Sequence, residues 1–392
     1  MTESHVLFLA GAFRGHAAFR HARRMGYRPL LLTEARHLAA AWERDVLDDV
    51  LAVATFDDVA TVLGAARWLA RHARIEHVIA IDDMGVDLAA EIREDLQVPG
   101  MGVTVARHFR DKLAMRNLAR AAGIGVPAFV HALNERTLDA FLATERGPFL
   151  IKPRSQASSR GILRAETADA VREAVGALGD ARATHLVEGF VAGDVFHVDA
   201  VVEGGHVTFA EVHRYRRPLL EVAASGDMMI TSTVLRGSRL DEELRATHAR
   251  IIAALGLVRG VAHTELIVGK DGTAVFLESA ARVGGASIPA LVEATSGMDL
   301  WRAQIELELG VGSMELPEAP LAYGALLAGL SREAAPSFDA FQGPHIAAAF
   351  SDAPHEATLV VRADDPAELE ARLAQCEIDF RREILRSPDA AT

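Results

Sequence analysis

The chain has 392 residues, 50% of them hydrophobic and 24% charged, with a net charge of −13. That supplies a sizeable core, for roughly two to four folding units, and it lacks the basic excess or base-stacking aromatics of a nucleic-acid binder. No apolar run reaches the ~18 residues of a membrane span. The N-terminus lacks the pattern of a secretory signal, and the single cysteine, Cys376, excludes an internal disulfide and any cysteine-based zinc site. A cytoplasmic protein is expected. One compositional feature stands out: of 41 lysines and arginines only Lys112, Lys152 and Lys270 are lysine, leaving 38 arginines.

Residues 5–105 alternate strand-like and helix-like segments. HVLFLA (5–10), RPLLLT (28–33), VLAV (50–53) and HVIAIDD (77–83) read as strands. The segments 15–26, 59–73 and 86–96 carry helical periodicity. This alternation predicts a doubly wound parallel sheet. Its first turn, GAFRGH (11–16), is not the GxGxxG of dinucleotide binders. Residues 106–123 read as one helix ending at Gly123, and a helix over 134–145 precedes the strand PFLIKP (148–153). A small polar loop, RSQASSRGI (154–162), leads to a helix over 167–179 and the strand THLVEGFV (184–191). Residues 194–215 read as a hairpin turning at EGGH; the polar stretch 216–238 shows little periodicity, and 241–256 is an amphipathic helix. Near the C-terminus, 356–363 reads as a strand and 366–376 as a helix, and the tail RSPDAAT as disordered.

Two apolar strands flank the turn GKDG in VAHTELIVGKDGTAVFLESAARVGG (261–285), which predicts a hairpin. A loop of two or four residues would set Glu265 opposite Phe276 and His263 opposite Glu278. Strand alternation then puts His263, Glu265 and Glu278 on one face. Two carboxylates on one face of an apolar hairpin are costly unless something neutralises them. A divalent cation would do so; a simply solvated face is the plainer alternative.

Taken in order, Lys in RDKLAMR, Lys in PFLIKP, the small polar loop, Glu in LVEGFVAGD, Glu in HTE, and Glu and Arg in FLESAARVGG resemble the ATP-grasp superfamily, in particular its L-amino acid ligase (carboxylate–amine ligase) type. The resemblance covers about 5–312. It implies an α/β ATP-grasp fold: an N-terminal doubly wound parallel-sheet domain (1–105), a lid subdomain (106–185), a catalytic subdomain (186–315) and a small C-terminal α+β region (316–392). The two subdomains would sandwich ATP.

By that resemblance Lys112 and Lys152 contact phosphate, a task that suits a compact ammonium. Loop residues Ser158, Ser159 and Gly161 donate to phosphate, although the usual glycines before the serine are replaced. Glu188 accepts from the adenine amine, the backbone of Gly189, Phe190 and Val191 lines the base, and Asp194 or His197 serves the ribose. Glu265 and Glu278 are the implied Mg2+ ligands; the usual third, an asparagine, is here Ala280. Arg282 is the implied catalytic arginine, acting with Lys152. Gly284 and Gly285 allow close backbone approach to substrate, beside His263. In the polar stretch, Arg217 is a candidate carboxylate clamp and a solvated loop arginine is the alternative. Lys270 matches no functional position.

The implied activity is ATP- and Mg2+-dependent ligation of a small carboxylate to an amine, amino acids for instance, through an acyl phosphate. A carboxylase using carboxyphosphate, or a nucleotide-binding module without turnover, are the alternatives. The expected partners are these small molecules, with no nucleic acid and no membrane. A homodimer is compatible with the resemblance, and nothing in the residues requires one.

Overall fold

A computed structural model of the protein describes residues 3–157, 159–311 and 321–385. Ser158 and the tail 386–392 lie outside the described residues. No helix among those described is long and apolar enough to cross a membrane.

The N-terminal sheet is parallel, in the order β3–β2–β1–β4, from β1 (Ser4–Ala10), β2 (Arg28–Glu34), β3 (Asp49–Val53) and β4 (Arg74–Ala80). All of Val6–Ala10 is buried. Leu7 and Leu9 pack towards α2 (Val59–Ala70) and α3 (Asp83–Leu96), and Val6 and Phe8 towards α1 (His16–Arg24). A strand covered on both faces needs the continuous apolar run seen here.

The stretch 106–123 is not one helix. It splits into α4 (Val103–His108) and α5 (Lys112–Ala121). Asp111 is the reason: its carboxylate accepts the Leu113 N–H at 3.0 Å and caps a new helix. The cap sets Lys112 at the first turn of α5. The helix packs on the third sheet rather than on the lid, through Met115 and Ala119.

The lid sheet is antiparallel, in the order β5–β8–β6–β7, from β5 (Phe129–His131), β6 (Phe149–Pro153), β7 (Leu163–Ala165) and β8 (His185–Gly189). Phe149, Ile151 and Val187 pack against α6 (Glu135–Thr144) and α7 (Ala168–Ala177). Alternation therefore turns Lys152 and Glu188 to the opposite face. The lid sheet thus runs over 129–189.

The third sheet has eight strands, in the order β13–β12–β9–β10–β11–β14–β16–β15. These are β9 (Asp194–Glu203), β10 (His206–Tyr215), β11 (Met229–Thr233), β12 (Gly260–Val268), β13 (Ala274–Ala280), β14 (Tyr323–Leu330), β15 (Ile346–Phe350) and β16 (Glu356–Ala363). The β9–β10 turn is Gly204-Gly205, with φ of 60° and 81°, values that favour glycine. The polar stretch after β10 contains a short helix, α8 (Leu219–Ser225), and β11. One face of the sheet packs on α9 (Arg239–Leu255). The other packs on α10 (Ile288–Ser296) and α11 (Leu300–Glu308), and α11 also touches α1. The C-terminal region adds β14, β15 and β16 to this sheet and covers them with α12 (Pro366–Glu383). Its sheet is continuous with that of the residues before 316.

Candidate active site

Two groups of charged residues meet where the open face of the lid sheet approaches β12 and β13. On the lid side, the Glu188 carboxylate takes Lys152 Nζ at 2.7 Å on one oxygen and Arg116 Nε at 2.7 Å on the other. Glu188 and Arg116 are fully buried. Burial pushes the Glu188 carboxyl up, but the charges of Arg116 and Lys152 outweigh it and hold it at about 2. Arg116 also donates to the Leu277 carbonyl, so it clips the lid to β13.

On the other side, Glu265 and Glu278 stand directly opposite each other across β12 and β13. This corrects the expected pairing with Phe276. A bulge between Glu265 and Leu266, and a five-residue loop from Gly269 to Thr273, shift the register. His263 pairs with Ala280, not with Glu278. The bulge brings the two carboxylates closer than the predicted register did. Lys112 Nζ lies 2.8 Å from Glu278 and also donates to the Gln156 carbonyl at the base of the polar loop. Tyr215 donates to Glu265 at 3.3 Å. Ser279 is buried on the far face and bonds Thr264, so it offers no third oxygen.

Arg282 follows β13. Its Nε and one Nη donate to the same Asp83 oxygen at 3.0 and 2.6 Å. Burial pushes the Asp83 carboxyl up, but Arg282 and then Arg110 hold it at about 2. The arginine is thus fixed by the N-terminal domain. Just beyond, a Cβ on Gly284 would lie 2.7 Å from an Asp199 oxygen, so only glycine lets this loop sit so close.

Residues 145–290 match the family model described as ATP-grasp domain. These residues are an ATP-grasp domain. The chain is 20% identical over 242 residues to an L-arginine-specific L-amino acid ligase of Bacillus subtilis, covering 60% of this chain and 58% of that one. It is 30% identical over 158 residues to a D-alanine--D-alanine ligase of Hydrogenovibrio crunogenus, covering 40% and 47%. It therefore spans about half the length of these curated relatives. The crystal structure of an L-amino acid ligase from Bacillus licheniformis superposes with a TM-score of 0.76 at 17% identity, over 98% of each chain. The whole chain has the ATP-grasp fold.

The cleft between the lid sheet and β12–β13 gathers Lys112, Lys152, Glu188, Glu265, Glu278 and Arg282, with His263 beside Glu265 at 3.7 Å. Other candidates are tied to other partners. His197 is fully buried, and its ring nitrogens meet Asp199 at 2.6 Å and Thr231 at 2.8 Å, which leaves neither for a ribose. Asp194 is exposed and paired with Arg214 at 2.9 Å. Arg217 pairs with Asp227 at 2.9 Å, and Arg381 of α12 holds the same carboxylate; no hydrogen bond or ion pair among the described residues joins Arg217 to Arg282 or the acids. Of the expected adenine-lining donors, the N–H groups of Gly189 and Phe190 already bond Ala128 and Pro148 carbonyls. Ser159 and Gly161 adopt φ of 56° and 69° in the polar loop.

Three residues were not anticipated. Arg116 is four residues after Lys112 on α5, and that one-turn spacing was the available signal. Asp83 lies 199 residues from Arg282, and nothing local marks it. Asp199 bonds both His197 and His263, the latter at 2.9 Å. Burial pushes His263 down, but Asp199 outweighs it and lifts the imidazole to about 9.

Proposed function

We propose that this protein is an ATP- and Mg2+-dependent ligase that joins a small carboxylate, an amino acid in the first instance, to an amine. The carrying observation is the pair Glu265–Glu278, opposed across β12 and β13 with Lys112 on one of them. Lys112 balances one of the two carboxylates, and the His263 imidazolium beside Glu265 is itself held by Asp199, so the group keeps net negative charge, which oxygen-preferring Mg2+ would neutralise. The relatives named as L-amino acid and D-alanine--D-alanine ligases support the same reading.

Lys112 and Lys152 then exchange a carboxylate partner for phosphate oxygens, and their point charges suit either. Bound Mg2+ supplies neutralisation of the charge that develops on the transferring phosphoryl group. Arg282, anchored by Asp83, presents its remaining N–H groups to the same charge. A substrate carboxylate oxygen attacks the γ-phosphorus, and the bond to the β,γ-bridging oxygen breaks, releasing ADP. The amine nitrogen attacks the acyl carbon of the acyl phosphate. The C–O bond to phosphate breaks, the amine loses a proton, and an amide and phosphate remain. Closure of the loop 154–162 would keep water from the acyl phosphate.

The test is ADP release over a matrix of amino acids and small carboxylates, with mass detection of the product. The expected product has the summed mass of acid and amine less one water. ADP release that depends on bicarbonate alone would replace this reading with carboxyphosphate chemistry.

A further inference from the structure

We propose that Arg14 is the anchor for the free carboxylate of the amine-bearing amino-acid substrate; its role in turnover rests on the ligase reading above. Arg14 stands in the loop between β1 and α1, at the C-terminal end of a parallel strand, where open α/β sheets present their ligand-binding groups. That loop is held firmly. The Ala12 N–H donates to Asp82 at 2.9 Å, and Arg36 donates to the Gly11 carbonyl at 3.1 Å. A Cβ on Gly11 would lie 2.5 Å from Met84, and one on Gly15 2.6 Å from Ile81. The backbone is therefore packed against Ile81, just after β4, and against α3, and Arg14 projects from a rigid base.

Its guanidinium reaches the catalytic loop. A Cβ on Gly285 would be 3.7 Å from Arg14 Nη1, so the cation lies three residues beyond Arg282. Arg282 and Arg110 both have Asp83 within ion-pair range, but Arg14 is exposed and has no ion pair among the described residues. The buried Asp82 feels its charge, yet Asp82 also accepts the backbone N–H groups of Ala12 and Gly85. An unpaired arginine on a rigid loop beside the reacting centre is ready for a planar, two-oxygen anion. Further along this loop, Ser287 donates to Asp352 of the C-terminal region at 3.1 Å. A cation near Gly285 and a carboxylate at Ser287 thus lie along one short segment, the two charges a zwitterionic amino acid requires.

The test uses the full chain, Arg14→Gln and Arg14→Lys, with ATP, Mg2+ and the twenty L-amino acids, each beside its α-amide. For the amine substrate found, Arg14→Gln should raise KM by about tenfold or more with kcat and the KM for ATP little changed, and Arg14→Lys should recover part of it. The amide, which lacks the carboxylate, should be poor with both proteins and insensitive to the substitution. Equal effects on acid and amide, or none, overturn the proposal. If the wild type releases no ADP with any pair, the ligase reading fails, and calorimetric binding of the amino acids with Mg-ADP present decides on Arg14. Binding lost in Arg14→Gln and absent for the amides sustains the anchor. Binding that is unchanged or absent, or preferential Arg14-dependent binding of inorganic phosphate, overturns it.

Discussion

Glu188 in the lid and Glu278 in the large sheet each meet a lysine at nearly the same distance, 2.7 and 2.8 Å, and their surroundings differ in every other respect. Glu188 is 1% exposed and has a second cation, Arg116, on its other oxygen. Its charge is more than balanced, and a metal ion would meet two positive neighbours there. The Glu278 side chain is 37% exposed, and across the strand it faces another carboxylate instead of another cation. The same lysine–glutamate pair is a closed cluster in one place and, on the proposed reading, an unfinished cation site in the other. What separates them is the charge of the third residue: Arg116 in the lid and Glu265 in the sheet. The contrast also gives both lysines a resting partner, so neither ammonium is buried unpaired before nucleotide arrives.

The largest effect should come from removing the charge that makes the sheet site unfinished. Glu278→Gln, and Glu265→Gln likewise, should lower substrate-dependent ADP release about 10³-fold, on the order of 4 kcal/mol in the barrier. The Mg2+ concentration for half-maximal rate should rise. A Mg2+ titration of the rate checks this, with Glu188→Gln in parallel. If Glu188→Gln shifts the Mg2+ dependence as much as Glu278→Gln does, the two sites are not different in kind.

Arg116→Met tests the closed cluster. Removing one partner from a buried ion pair costs about 3 kcal/mol, which urea unfolding at pH 7 would report. The pH dependence has a definite sign. Glu188 is held at about 2, below its ordinary 4.5, so its contribution is complete above pH 4.5 and fades as pH falls towards 2. With only Lys152 left, burial pushes the carboxyl back up. The acid-unfolding midpoint of Arg116→Met should therefore move to higher pH. An unchanged midpoint would mean that Lys152 alone closes the cluster.

Much of this architecture was legible because the segments that build it carry clean periodicity. β1 is a continuous apolar run from Val6 to Ala10, β4 ends in one at Val78–Ala80, and α9 is amphipathic throughout. The lysines, Glu265, Glu278 and Arg282 stood out by order along the chain. What was not legible depends on partners distant in sequence. YGALLAGL and IAAAF are rich in alanine and glycine, which favour strands weakly; they become β14 and β15 because β11 and β16 pair with them. The bulge that sets Glu265 against Glu278 inserts one residue, which no alternation count reveals. Arg116 reads like any helix-surface arginine until Glu188, 72 residues on, turns out to be its counter-ion. His197 was expected, like Asp194, as a partner for ribose, but β9 sets it directly opposite Glu265 on β12, buried against Asp199.

The smallest effects sharpen the comparison most. Lys112→Arg and Lys152→Arg preserve charge, and a guanidinium can still pair with Glu278 or Glu188, so folding stability should change by less than about 1 kcal/mol. Phosphate binding should suffer more, because the compact ammonium is replaced by a longer planar fork that approaches carboxylate and phosphate differently. We expect kcat/KM for ATP to fall about tenfold or more in each variant, with melting temperature nearly unmoved. Lys270 sits exposed in the β12–β13 loop, and its replacement by arginine should change neither quantity. In a chain that otherwise uses arginine for its positive charge, a difference between the first two lysines and the third would show that phosphate chemistry kept them. If all three variants behave alike, the two lysine–glutamate pairs are ordinary ion pairs. The distinction between the lid and sheet sites would then rest on Arg116 and Glu265 alone.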